Sequence, residues 1–214
     1  MKLVVKIGGS MSMVDEGPDP DYMSSFLDVL EELDKEHKIS ICIGGGDFVN
    51  SYSECIEGLG LSGDERELCF VELMKANVRL LSIIMDKKPL FDLEDHGGEE
   101  VVVSGIEPGR STDANAAAVA RNMDADLFVK LTDVDGIYDK DPAEHSDAEL
   151  LDTMDFEELE MVKGEETPLD YGILDPLAMK IIRENKITTV LASGEDPENL
   201  RRIVEGDRIG TWIE

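Results

Sequence analysis

Short apolar runs that stop at glycine-rich or polar turns, each followed by a stretch of helical spacing, recur along this chain and restrict its fold more than any other feature. Lys2 to Ile7 ends in Gly8, Gly9 and Ser10, and Tyr22 to Lys35 then places Phe26, Val29, Leu30 and Leu33 at helical spacing. Ile39 to Ile43 repeats the design with Gly44, Gly45 and Gly46, followed by a helical stretch from about Asp47 to Glu57 and a longer one from Glu65 to Met85. Glu100 to Ser104 reads as a third strand, closed by Gly105, Pro108 and Gly109. Ser111-Thr112-Asp113 then opens an alanine-rich helix, Ala114 to Arg121, for which Ser and Thr are good N-caps. Leu127 to Leu131 and Thr188 to Ala192 read as the fourth and fifth strands, and Phe156 to Val162, Asp175 to Glu184 and Pro197 to Glu205 as helices. Glu144 to Asp152 reads as surface loop and Lys163 to Thr167 as an exposed acidic turn.

Strands that alternate with helices predict a mainly parallel central sheet covered on both faces, a three-layer α/β/α sandwich. With no repeat, low-complexity tract or linker in its 214 residues, the chain reads as a single domain. Parallel strands would carry four loops to one edge of the sheet: Gly8 to Ser10, Gly44 to Gly46, Gly105 to Thr112, and Thr132 to Asp141. That carboxyl edge is where open α/β sheets bind ligands. Glycine there lets backbone N–H groups approach phosphate oxygens, with the following helix presenting its positive end. No loop is a Walker A or Rossmann fingerprint, and a Gly-Gly pair alone is more often a tight turn than a phosphate cradle. Two such loops and a Ser-Thr-Asp helix start together suit a phosphoryl donor facing a phosphorylated acceptor.

Composition narrows the partners. A net charge of −29, from 49 acidic against 20 basic residues, excludes general nucleic-acid or anionic-membrane binding. An anionic substrate would need a divalent cation, helix N-termini and a few placed lysines against this field. The acid excess also suits a cytosol of high ionic strength, where screening shrinks self-repulsion. Apolar residues at 42% supply a substantial core, aliphatic because aromatics are only 5%. No stretch approaches the roughly 20 apolar residues of a membrane span, so a soluble, cytoplasmic protein is expected. Cys42, Cys55 and Cys69 lack the close pairing of a zinc or redox motif, and no metal site is predicted. His37, His96 and His145 are scattered among acidic or polar neighbours and read as surface residues.

The densest stretch of polar and charged groups is Lys130-Leu131-Thr132-Asp133-Val134-Asp135-Gly136-Ile137-Tyr138-Asp139-Lys140-Asp141-Pro142, which follows an apolar strand. This segment joins Val5-Lys6-Ile7-Gly8-Gly9-Ser10, Gly44-Gly45-Gly46, Pro108-Gly109-Arg110-Ser111-Thr112-Asp113-Ala114, and Leu174-Asp175-Pro176-Leu177-Ala178-Met179-Lys180-Ile181-Ile182. Together, in this order and across essentially the whole chain, these motifs resemble the amino acid kinase superfamily, and within it archaeal-type uridylate kinases.

The resemblance implies an amino acid kinase-like fold that transfers the γ-phosphoryl group of ATP to UMP, forming UDP in pyrimidine nucleotide biosynthesis, with Mg²⁺ and as a homo-oligomer. It places acceptor binding mainly in residues 1–125 and ATP binding mainly in 126–214. Lys6 would stabilise the moving phosphoryl group with Gly8, Gly9 and Ser10, Gly45 and Gly46 would lie between the acceptor and donor phosphates, and Gly44 would belong to the acceptor side. Ile106, Glu107, Pro108, Gly109, Arg110, Ser111 and Thr112 would wrap the acceptor. Thr132, Tyr138 and Asp141 would hold the ATP nucleoside, Asp135 would orient the phosphate-binding lysines, and Lys180 would be a second cation. Departures from the pattern gather on the acceptor side: Asn50 stands where an arginine is usual, Glu67 where a ribose-binding aspartate is usual, and Phe70 where a glycine is usual. The resemblance therefore supports ATP more firmly than UMP. It leaves open a related kinase with another phosphate or carboxylate acceptor, and a non-catalytic nucleotide-binding subunit.

Overall fold

The computed structural model describes residues 1–14, 17–161 and 174–214. From the N-terminus run β1 (Lys2–Ile7), a single turn α1 (Gly9–Ser12), the antiparallel pair β2 (Met13–Val14) and β3 (Gly17–Pro18), α2 (Pro20–Asp34) and β4 (Lys38–Ile43). Then come α3 (Gly46–Asn50), α4 (Ser53–Gly58), α5 (Asp64–Ile84), β5 (Lys88–Pro89), β6 (Val101–Val103), α6 (Thr112–Met123) and β7 (Leu127–Thr132). β8 (Thr153–Met154), α7 (Glu158–Met161), α8 (Pro176–Asn185), β9 (Thr189–Ser193), α9 (Glu198–Glu205) and β10 (Thr211–Ile213) follow.

Eight strands form one sheet in the order β5-β6-β4-β1-β7-β9-β10-β8. All neighbours are parallel except β10 with β9, so the sandwich read from the alternating pattern is the observed architecture. Because β1, β4, β6 and β7 run the same way, the four polar loops do share one edge.

Side chains alternate across a strand, which splits β1 between two cores. Val4 packs with Phe128, Leu191 and the small residues Ala116 to Ala120 on the face covered by α6 and α8. Leu3, Val5 and Ile7 pack with Phe26, Leu30, Val78 and Val129 on the face covered by α2, α5 and α9. Alanine at 114, 116, 117, 118 and 120, all fully buried, lets α6 lie close to the strands. The start of α2 is fixed by Asp19, whose Oδ1 accepts the N–H groups of Asp21 at 3.0 Å and Tyr22 at 3.2 Å, with Pro20 in its first turn.

Several sequence expectations are corrected. The helical stretch expected from Asp47 to Glu57 is two short helices, α3 and α4, separated at Ser51 and Tyr52. The two-residue strands β5 and β8 and the terminal β10 carry no apolar run long enough to register as strands. Part of the expected loop Glu144 to Asp152 pairs back, with Leu150 bridging Tyr138. The helix read from Phe156 begins at Glu158, after Asp155 Oδ1 caps the N–H groups of Glu157 and Glu158 at 2.8 Å. Val162 and the turn expected from Lys163 to Thr167 lie outside the described residues. His96 is buried rather than exposed, with Nε2 2.9 Å from the Glu99 carbonyl. Among the described residues no helix is long and apolar enough to cross a membrane.

The surplus of carboxylates implies that self-repulsion opposes the compact state, and salt shortens its reach from about 10 Å at 0.1 M to about 3 Å at 1 M. The thermal unfolding midpoint should therefore climb by several degrees as KCl is raised from 0.1 M to 1 M, read by circular dichroism. A midpoint that stays flat or falls would show that charge repulsion takes little from the stability of the fold.

Candidate active site

Two lysines interrupt otherwise apolar strands: Lys6 in β1 and Lys130 in β7. They are register partners on adjacent parallel strands, so their side chains leave the sheet on one face, and Cys42 of β4 continues the row on the other side of Lys6. All three sit under the start of α6, which lowers Asp113 between the lysines. Lys130 Nζ donates to Asp113 Oδ2 at 2.6 Å, and Lys6 Nζ lies 3.1 Å from Oδ1. The Lys6 contact is a buried ion pair. Lys6, Lys130 and Asp113 are each no more than 8% exposed.

Burial at this depth determines the protonation states. Burial pushes the Asp113 carboxyl upward, but Lys6 and Lys130 together outweigh it and hold Asp113 below its ordinary value. Burial and the neighbouring Lys6 charge pull Lys130 downward, against the opposing pull of Asp113 and Asp175. Cys42 is inert in this setting: burial pushes its thiol up to about 12, and Sγ donates to the Thr112 carbonyl at 3.3 Å.

The glycine loops meet backbone to backbone beside this cluster. Gly8 N–H donates to Leu131 O at 2.9 Å and Gly44 N–H to Ile7 O at 3.1 Å, continuing the ladders one residue past the strand ends. A Cβ on Gly44 would sit 2.7 Å from the Gly9 nitrogen, and one on Gly9 or Gly46 would overlap the other residue's backbone. Gly46 also has φ +51, a left-handed conformation that side-chain-bearing residues rarely adopt.

A cavity of about 390 Å³ is lined by Glu67, Phe70, Val71 and Met74 from α5 and by Glu107, Gly109, Arg110 and Ser111 from the loop before α6. Glu67 Oε2 accepts the Gly109 N–H and ties the two walls together. On the other side of α6, Asp175 caps α8 by accepting the N–H groups of Leu177 at 2.8 Å and Ala178 at 3.1 Å, and its second oxygen accepts the Ser111 hydroxyl. The loop after β7 is pinned by the buried Thr211 of β10: its Oγ1 accepts the Ile137 N–H at 2.8 Å and donates to Leu151 O at 2.6 Å.

The amino acid kinase family matches residues 83–193. The chain is 37% identical to a uridylate kinase of Methanocella arvoryzae, with all of this chain and 99% of that protein covered. It belongs to the amino acid kinase family. A uridylate kinase of Thermococcus kodakarensis is 31% identical with both chains fully covered. The crystal structure of uridylate kinase from Archaeoglobus fulgidus superposes with a TM-score of 0.87 at 28% identity, again over the whole of both chains.

Within this family fold, the structure gathers Lys6, the two glycine loops and the loop before α6 at one sheet edge, as the motifs imply, but it rearranges two expectations. The carboxylate between the lysines is Asp113. Asp135 is exposed and accepts instead from the Tyr138 hydroxyl at 3.2 Å; burial first, and then the Asp135 charge and this bond, raise the Tyr138 pKa. Lys180, expected as a second cation, projects from α8 with its side chain 59% exposed, 4.0 Å from Glu184, and Lys130 holds the place beside Lys6. Thr132 donates to Asp133 at 3.1 Å, and Asp141 accepts the Ala143 N–H at 2.8 Å, so both are turn-forming in this state. Asn50, at the end of α3, is exposed. Sequence reading passed over Lys130, Asp113, Asn115 and Asp175 as site residues. A usable signal was present, since a lysine second from the end of an apolar strand must find a counter-ion if its strand is central.

Removing a single partner of a buried ion pair leaves an uncompensated charge, at a cost of roughly 3–5 kcal/mol. Asp113→Asn should destabilise by about that amount in urea unfolding at pH 7, and adding Lys130→Met should recover much of it. Because the folded Asp113 value lies below the ordinary ~3.9, its stabilisation is complete above that pH and is lost as pH falls through the folded value. The difference between the native protein and Asp113→Asn should accordingly shrink in acid. A variant as stable as the native protein at pH 7 would contradict the buried pairing.

Proposed function

We propose that this protein transfers the γ-phosphoryl group of ATP to the phosphate of UMP, giving UDP and ADP. The observation that carries the reading is the pair of buried lysines sharing Asp113 where the glycine loops converge, since phosphoryl transfer asks a protein mainly for positioning and charge neutralisation. Full-length similarity to uridylate kinases supports the choice of acceptor. In this reading Lys6 faces the equatorial oxygens of the moving group, Asp113 and Lys130 fix its position, and, past Gly8, the N–H groups of Gly9 and Ser10 add donors.

Residues 1–125 contribute most of the acceptor side, with Gly44, Gly45 and the 106–112 loop, and residues 126–214 most of the ATP side, with Thr132, Tyr138 and Asp141. An acceptor phosphate oxygen attacks the γ-phosphorus in line as the bond to the β-phosphate oxygen breaks, and ADP leaves with that electron pair. Among the described residues no group of three or more His, Cys, Asp or Glu side chains is arranged to hold a metal, so Mg²⁺ would enter as MgATP, held mainly by the phosphate oxygens. The reading includes cytoplasmic work in pyrimidine nucleotide synthesis and a homo-oligomer. Support for the oligomer comes from α5, where Leu68, Ile83 and Ile84 are each more than half exposed.

An ADP-release assay across UMP, CMP, AMP, GMP and small phosphates or carboxylates tests the acceptor: turnover should be greatest with UMP, and turnover only with a different acceptor would contradict the reading. Lys6→Ala should lower kcat by about 10²–10³-fold while leaving ATP affinity nearly intact. Unchanged turnover in that variant would remove Lys6 from the mechanism.

A further inference from the structure

The loop before α6 is held at two places. Near its middle, Gly109 donates its N–H to Glu67 of α5, and at its end Ser111 is bonded to Asp175, the residue that starts α8. Helices α6 and α8 pack side by side, and each is begun by one member of this bonded pair. Ser111 Oγ accepts the Ala114 N–H at 2.9 Å and donates its own proton to Asp175 Oδ2. Asp175 Oδ1 is committed to α8, accepting from Leu177 at 2.8 Å and Ala178 at 3.1 Å. N-capping alone asks for no bond between the two residues, since each satisfies its own helix with a single oxygen. Ser111 is exposed and Asp175 half-buried, so the bond lies at the surface of the cluster and not in the core. Both partners reach further. Ser111 lines the 390 Å³ cavity. Asp175 acts on Lys130: burial and Lys6 pull that lysine down, and Asp175 joins Asp113 in opposing them. One side-chain bond therefore joins the cavity wall to the buried lysines.

We infer that the bond between Ser111 and Asp175 couples the two substrate sites, with Asp175 as the positioning residue through which occupancy of the 106–112 loop favours binding on the ATP side. The inference rests on the proposed reading of an acceptor side and an ATP side, and adds a coupling between them. An acceptor that orders the loop also fixes Ser111, which has a single proton to give, and through it Asp175 and the first turn of α8. ATP then meets a helix start and a Lys130 already held, so the order imposed by the first ligand need not be imposed again by the second. By reciprocity, bound ATP favours the acceptor by the same factor.

The test is calorimetric titration of a non-hydrolysable ATP analogue with Mg²⁺, without and with saturating UMP, in the native protein and in Ser111→Gly, Ser111→Thr and Asp175→Ser. Thermal unfolding establishes that each variant is folded. Glycine and serine are both tolerated N-caps, so the helices keep their starts while the bond between them is lost. In the native protein UMP should tighten analogue binding by about fivefold or more. Ser111→Gly and Asp175→Ser should bring that ratio close to one, whatever they do to either affinity alone. Ser111→Thr keeps the hydroxyl and should retain most of the ratio. A purely structural role would weaken both affinities and leave the ratio unchanged. A native ratio of one, a ratio of native size in either Ser111→Gly or Asp175→Ser, or a loss in Ser111→Thr as complete as in Ser111→Gly overturns the coupling while leaving the UMP reading in place. A native protein that binds the analogue but not UMP overturns the UMP reading, and this inference with it.

Discussion

Two lysines standing side by side on neighbouring parallel strands, both with almost no exposure, repel one another at close range unless a carboxylate lies between them. Asp113 is that carboxylate, and its position ties three separate parts of the chain to a single arrangement. The lysines require β1 and β7 to pair in the register that aligns Lys6 with Lys130. Asp113 requires α6 to begin above that pair, which the Ser111 cap and the alanine face of the helix permit. Slipping either strand by one residue would send a lysine into the opposite core, among Val5, Ile7 and Val129. The charge cluster thus specifies the sheet register and the helix start as well as any chemistry.

The glycine loops depend on the same register. Gly8 and Gly44 extend the ladders of β1 and β4 by one residue, and only then do Gly9 and Gly46 come into backbone contact. A side chain at either position has no room, so peptide groups rather than side chains flank the lysines. In a chain of net charge −29, this concentration of cations and N–H groups at one edge is the local reversal of field that an anionic nucleotide needs.

Much of this was legible in the sequence, for physical reasons that differ by element. The long apolar runs in β1, β4 and β7, each stopped by glycine or a polar turn, identify strands because period, length and terminator agree. β5 and β8 are two residues long and owe their pairing to neighbours already in the sheet, a tertiary effect that no local pattern carries. The interruption at Ser51 and Tyr52 and the burial of His96 are likewise set by packing. In the site, Lys6 and the loops could be named from their position after a strand. The choice between Asp113 and Asp135 could not, because it depends on which carboxylate the start of α6 lowers onto the sheet. Lys180 and Lys130 differ in a way the sequence did carry: Lys130 interrupts the apolar run of a central strand, whereas Lys180 stands on a helix with its side chain exposed.

If Asp113 serves catalysis by positioning Lys6, the two residues should act as a unit. The most direct measurement is a double-mutant cycle on the single-turnover rate of phosphoryl transfer, using Lys6→Ala, Asp113→Ala and the double variant, with folding of each established beforehand. The account predicts strong non-additivity, the double variant being little slower than Lys6→Ala alone. Losses that simply multiply would contradict it, since they would mean that Asp113 and Lys6 contribute to the reaction independently.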